Sequence, residues 1–476
     1  MILFEVAAFA ALAAACSFWF AASDALTIAT AFGVAYAIAA GLFRKSSAYS
    51  LSGHIILFAI GIALAAIAST VIWGSTVGCG HSLADPNFPS DDSVYWRWAV
   101  SNTGNGSKEP YTAFIGFPLI SSWLMCLLGT NVLWPIAMNY LFTLVSLVFF
   151  ALTARNLLQG KVSTPPAKVV CLSLLLCSVL TYFLSQGIKM QKEASIYLGF
   201  SITAYATTKV MLNKLTSRDW AAFAAAMLLV ALVRATYIYL VAMGIMFALK
   251  ARKQRKQTLI MLAVSAVAFV IGNYFAAYSV DNHVYMIKGG AEMKELYIVG
   301  QAQQPYLDML GNYFFYPAWK RLLALPLTMA VQFVIPFPWI YGNVDCANDL
   351  LTRIGWGWYF VGGTAMFLYV RCIVTRQQPL GVWIWWPALC FAATAYVVAG
   401  SVNRYVLPFE PLFVPAAAYV LCKAREEGTS RALKLWGIGF AAVLTITLIV
   451  CHHVQMSYLN ALDEYYHSVA AVAQTL

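Results

Sequence analysis

Gly53-His54-Ile55-Ile56-Leu57-Phe58-Ala59-Ile60-Gly61-Ile62-Ala63-Leu64-Ala65-Ala66-Ile67-Ala68-Ser69-Thr70-Val71-Ile72-Trp73 has one ionisable side chain, at its edge. About 20 such residues make a helix long enough to cross the ~30 Å hydrocarbon core of a bilayer. The same pattern recurs along the chain, at about 2–22, 25–43, 53–75, 131–153, 168–187, 194–212, 257–279, 355–374, 380–400, 404–422 and 433–452. The run from Trp220 to Leu249 exceeds one span and carries Arg234 in its middle. It reads as two short helices meeting there, which makes 13 spans in all. Over all 476 residues, 61% are hydrophobic and only 10% charged, against about 25% charge in soluble domains. The expected fold is an all-α polytopic membrane protein whose residues 1–476 form a single transmembrane domain.

The sign of the loops sets the orientation. Cytoplasmic loops collect Lys and Arg, and charge close to the span ends counts most. Two apolar stretches, Tyr111 to Gly129 and Leu322 to Tyr341, decide the outcome. If neither crosses, nineteen of the 30 basic residues share one side with four acids, Glu5, Asp219, Glu426 and Glu427. That side is read as inner, with the N-terminus in the cytoplasm. The two stretches are then juxtamembrane or re-entrant helices of the outer face, and Pro326, Pro336 and Pro338 suit a broken element. Three outer segments are large: 76–130, 280–354 and the tail 453–476. The net charge of +11 needs no nucleic-acid partner on this reading.

The first outer loop carries Ser90-Asp91-Asp92-Ser93-Val94-Tyr95-Trp96-Arg97-Trp98. Two readings of Asp91 and Asp92 stand side by side. One is a carboxylate that accepts a proton. The other is an acid at the start of a short helix. Tyr95, Trp96 and Trp98 suit either stacking on sugar faces or anchoring at the interface. Other charges gather on the same side: Lys189, Lys192 and Glu193 in one tight turn, Arg234 at the junction of the short helices, and Arg404 at a helix start. Singly, each reads as a snorkelling or helix-end charge. Together, cations converging at one leaflet suit a lipid phosphate. Glu410, two residues after Pro408, reads as paired or protonated, with no role assigned. Of the 10 cysteines, Cys79 and Cys346 fall in outer loops, where an oxidising compartment permits a disulfide between them.

A chemistry needing acids and cations together is sugar transfer from a polyprenyl phosphate. The acceptor hydroxyl loses a proton, and negative charge builds on the departing phosphate. A divalent metal ion could assist, as could basic side chains alone.

The order of motifs resembles the GT-C superfamily of integral membrane glycosyltransferases, including protein mannosyltransferase-like and aminoarabinose transferase-like enzymes. It also resembles related membrane proteins of bacterial polysaccharide clusters. The residues that carry the resemblance are the acidic outer loop, Gly116-Phe117-Pro118-Leu119, Leu127-Leu128-Gly129, Ala154-Arg155-Asn156-Leu157, Lys192-Glu193, Arg234, Pro336-Phe337-Pro338-Trp339 and Asn403-Arg404-Tyr405-Val406-Leu407-Pro408. It implies that Asp91 or Asp92 is the catalytic base and that Lys192, Arg234 and Arg404 hold the lipid phosphate. It further implies a bacterial inner membrane, an active site on the periplasmic side, and a glycan or lipid acceptor in surface polysaccharide or glycolipid assembly. The sequence departs from the family in placing the acidic loop after the third span rather than the first, and in lacking a large soluble C-terminal domain. Two rival functions remain open. One is an O-antigen-type polymerase or ligase working through Arg234, Arg404, His283 or Arg321. The other is a lipid-linked glycan flippase, for which internal repeats would be expected and none is visible.

Overall fold

The computed structural model describes residues 2–18, 20–46, 49–77, 91–103, 116–183, 187–188, 190–234, 237–276, 318–334, 358–375, 381–398, 406–442, 445–446, 449 and 453. Among them every regular element is helical. The chain divides into two units. The first comprises Met1–Asn282, Asn343–Pro387 and Leu407–Cys422, and the second His283–Gly342, Ala388–Val406 and Lys423–Leu476.

The helices of the first unit follow the apolar runs. They are α1 (Ile2–Cys16), α2 (Ala22–Arg44), α3 (Leu51–Val77), α4 (Asp91–Asn102), α5 (Gly116–Leu128), α6 (Leu133–Leu158), α7 (Thr164–Tyr182), α8 (Glu193–Met211), α9 (Ser217–Arg234), α10 (Ile238–Ala251) and α11 (Arg255–Ala276). Four segments among the described residues are long and apolar enough to cross a membrane: Ala22–Arg44, Leu51–Ser69, Leu133–Leu158 and Leu407–Glu426. The chain is a helical membrane protein. Among the described residues four of the expected 13 spans meet that measure, and α1 is a helix shorter than its apolar run. α1 stops at Cys16, where the chain turns and the Ser17 hydroxyl donates to the Ala14 carbonyl at 2.7 Å. Its 15 residues reach about 22 Å. The expected helix at 404–422 starts instead as a 3-10 segment, Leu407–Phe413, before continuing as an α-helix from Val414. Pro408 and Pro411 there supply no backbone donors, which favours the tighter winding.

Helices stand both in the run from Trp220 to Leu249 and in the stretch from Tyr111 to Gly129. α9 ends at Arg234 and α10 begins at Ile238. α5 has 13 residues, about 20 Å, and closes on Gly129 at φ +99°, whose N–H donates to the Met125 carbonyl at 2.8 Å. Only glycine adopts that backbone without strain.

α8 is the central post. Every side chain from Glu193 to Ser201 is buried, the pattern of a helix enclosed on all sides. α6, α9, α10 and the 3-10 segment at 407–413 pack around it. Small residues allow the close approach. A Cβ at Gly199 would collide with Val230 of α9, and one at Gly244 of α10 would stand 2.6 Å from the Trp386 ring. Gly199→Leu should therefore force α8 and α9 apart and cost ~1–3 kcal/mol or more. Thermal unfolding of the purified protein in detergent checks this; an unchanged midpoint would show that the helices are not so tightly apposed. Aromatic contacts fill the remaining space, with Phe200 5.8 Å from Phe409 and 6.2 Å from Trp386. α13 (Trp358–Val374) also belongs to this unit and packs on α7 and on the 3-10 segment.

The second unit contains α12 (Ala318–Val334), with Pro326 inside it. It also holds most of α14 (Trp385–Val398), the end of α15 (Val414–Glu426) and a helix over residues 430–442. Within it, Lys423 pairs with Glu426 at 3.5 Å and Glu427 at 3.6 Å.

Candidate functional site

The tight turn before α8 is held from α6. Asn139 is fully buried, and its amide donates to the Gln191 carbonyl at 3.1 Å. Lys192 then takes the N-cap position and Glu193 the first turn. Gln191, Lys192 and Glu193 are all buried. A carboxylate in a first turn is favoured by the helix dipole, whereas a lysine there is not. Its partner comes from outside the helix: the Lys192 ammonium stands 5.4 Å from the centre of the Tyr95 ring. A cation over an aromatic face gains ~0.5–2 kcal/mol, most where water is excluded.

Tyr95 belongs to α4, so that contact docks the helix of the acid pair onto Lys192. α4 buries Tyr95 and Trp98 and leaves Trp96 and Arg97 half-buried. Side chains close its end: Ser101 and Asn102 donate to the Trp98 carbonyl at 2.8 and 2.9 Å, and Thr103 to that of Val100 at 2.7 Å. Asp91 is the first helical residue, four positions and one turn before Tyr95. The side chains of Asp91 and Asp92 lie outside the described residues, as do Lys189, Arg404, Cys79 and Cys346.

α5 links this corner to α9. The Phe117 ring lies 5.8 Å from that of Tyr95, and Gly116 sits so close to the Leu232 carbonyl that a Cβ would overlap it. Leu232 is two residues before Arg234. α8 and α9 meet at Gly199 and Val230, seven residues from Lys192 and four from Arg234. At 1.5 Å per residue these are ~10 Å and ~6 Å toward the same end of an antiparallel pair, an axial offset of about one turn. The Arg234 guanidinium rests 5.1 Å from the Tyr237 ring centre, and Tyr237 packs on Phe200 of α8 at 6.3 Å. Tyr95, Lys192, Glu193 and Arg234 thus share one end of the α8–α9 pair, with the N-terminus of α5 between them. Gly116→Val should displace α5 and lower thermal stability by ~1–3 kcal/mol, read as a lower midpoint in the same unfolding experiment.

One turn further along α8, Tyr197 faces a second buried group. Glu410, in the 3-10 segment, shares its environment with the Ser178 hydroxyl and the Tyr197 phenol. Neither carboxyl oxygen completes a hydrogen bond of standard geometry among the described residues. Ionisable groups enclosed in a membrane helix bundle are costly and commonly mark function.

A cluster not anticipated from the sequence sits among α1, α2 and α3. The Glu5 carboxylate meets the His54 Nε2 at 2.5 Å, the Tyr36 hydroxyl at 3.2 Å and the Arg44 guanidinium at 3.4 Å. His54 is fully buried between the rings of Phe43 and Tyr49. The available signal was Glu5 itself, a carboxylate inside an apolar run, which requires a partner. Among the described residues no three His, Cys, Asp or Glu side chains group closely enough to hold a metal ion.

No protein-family model, characterised protein or solved structure matches this chain.

Proposed function

We propose that the chain is a membrane glycosyltransferase that moves a sugar from a polyprenyl phosphate to a glycan or lipid acceptor on the periplasmic face of a bacterial inner membrane. The observation that best supports it is the 5.4 Å stacking of Lys192 over Tyr95. It holds the helix that begins with Asp91 and Asp92 against one expected phosphate cation, at the helix-pair end that Arg234 also occupies.

In the proposed reaction an Asp91 or Asp92 carboxylate accepts the proton of the acceptor hydroxyl. The hydroxyl oxygen bonds to the anomeric carbon as the sugar–phosphate bond breaks, and its electron pair leaves on the polyprenyl phosphate. Lys192 and Arg234 neutralise that charge as it grows, aided by the positive end of α5. Tyr95, Trp96 and Trp98 border the sugar. Lys189 and Arg404 complete the cationic set; were a divalent ion to take part, Asp91 and Asp92 would hold it and it would supply further positive charge for the departing phosphate.

Asp91→Asn and Asp92→Asn proteins, assayed with a defined lipid-linked sugar, test the assignment. Loss of ~10²–10⁴-fold in turnover is expected for the one that acts as base. Full activity in both would remove the carboxylate mechanism. Transport of the lipid-linked glycan across vesicle bilayers with no covalent product would replace the enzyme with a flippase.

A further inference from the structure

A groove of about 160 Å³ opens between α3, α6 and α7, away from the Lys192 corner. Its floor is apolar and buried at Leu57, Leu147 and Leu152, while Ser50 and Arg155 are exposed at its rim. It follows α6 from Leu147 to Arg155, about 12 Å at 1.5 Å per residue. Gly53 widens the mouth: a Cβ there would press to 3.0 Å on both the Phe43 ring and the Ser50 hydroxyl.

Size and charge both point to one kind of occupant. An apolar cavity of about 150 Å³ holds a six-carbon ring, so this groove takes a segment of a hydrocarbon chain. The polar end of the groove is basic. Arg155 lies in the last turn of α6. Lys168 is exposed one turn before the groove residue Leu172, on the same face of α7. Neither side chain is a carboxylate, and no acid lines the groove. An acyl chain lying along α6 therefore leaves its headgroup at Arg155 and Lys168.

We propose that this groove is a binding site for an anionic glycerophospholipid, with one acyl chain between α3 and α6 and the headgroup phosphate against Arg155. The lysines and arginines around the ends of α2, α6 and α7 place it in the inner leaflet. That placement follows from the loop charges and is independent of the glycosyltransferase proposal, since binding is read without turnover.

Native mass spectrometry of the full chain with phosphatidylglycerol and with phosphatidylcholine tests it. Phosphatidylglycerol should be retained in preference, and Arg155→Gln should cut that preference about fivefold, the worth of one basic side chain at an anionic surface. Ala151→Leu, which adds bulk to the groove wall, should reduce retention of both lipids. Lys214→Gln, outside the groove, should change neither. Equal retention of the two lipids, or a preference that survives Arg155→Gln, would overturn the headgroup assignment. Displacement of phosphatidylglycerol by inorganic phosphate would leave an anion site without a lipid, and displacement of phosphatidylglycerol by a polyprenyl phosphate whose own retention falls in Ala151→Leu would give the groove to a different lipid class. Arg155→Gln changes an exposed side chain, so its outcome does not depend on the Ala151 variant folding.

Discussion

Lys192→Ala should reduce the proposed sugar transfer by ~10²–10³-fold, the loss typical when one preorganised charge-stabilising donor is removed from a reacting site. The physical reason is that Lys192 is placed in advance. Its neighbour Gln191 is tied to Asn139, its own backbone occupies the N-cap position of α8, and its ammonium is already held over Tyr95. Little reorganisation remains when phosphate charge develops. Lys192→Arg keeps the cation but not the geometry, so it should recover part of the rate. Tyr95→Leu separates two contributions: the cation stays, while α4 loses its dock. If α4 delivers the base, Tyr95→Leu should slow turnover even though it removes no charge. A Lys192→Ala protein that unfolds at the wild-type temperature and still transfers sugar at the wild-type rate would end the phosphate assignment.

Helix placement was legible because its cause is local. A membrane helix satisfies its own backbone, so an apolar run of sufficient length states its structure without reference to the rest of the chain. The break at Arg234 was legible for the same reason: a cation in the middle of a long apolar run is expensive unless the helix ends there. What ended elements early was less visible. The turn after Cys16 and the 3-10 winding through Pro408 and Pro411 depend on single hydrogen bonds and missing donors, which an apolar average does not register.

In the sequence the expected site could be read only as a side of the membrane. Counting charges put the acidic loop and the cations together on the outer face, but it could not pair Lys192 with Tyr95, which is 97 residues away in sequence. That contact needs α4 to be a helix with Tyr95 and Trp98 on one face, and α8 to be the central post. The burial of Glu410 against Ser178 and Tyr197 was hidden for the same reason. Its surroundings come from α7, α8 and the 3-10 segment, and no local pattern joins them.

The Glu5 cluster shows the same limit, and it carries a large expected effect on stability. His54→Leu should destabilise the protein by ~1.5–3 kcal/mol, the usual worth of a hydrogen bond to a charged group. His54 is fully buried and meets Glu5 at 2.5 Å, so its loss leaves a carboxylate in an apolar setting with, among the described residues, Tyr36 and Arg44 to compensate. The Arg44 side chain is 36% exposed, so its own removal should cost less, ~0.2–1 kcal/mol once solvent screening is allowed for. Glu5→Gln keeps the shape and removes the charge. Against that background His54→Leu should cost less than it does alone, because no buried charge is then stranded. The double-mutant cycle should show coupling of ~0.5–3 kcal/mol between the two sites, measured by unfolding in denaturing detergent. Simple additivity would mean that Glu5 and His54 are neighbours without being partners. Loss of stability at Glu5, His54 and Arg44 with the proposed sugar transfer intact would assign the cluster to holding α1, α2 and α3 together, apart from the chemistry proposed at Lys192.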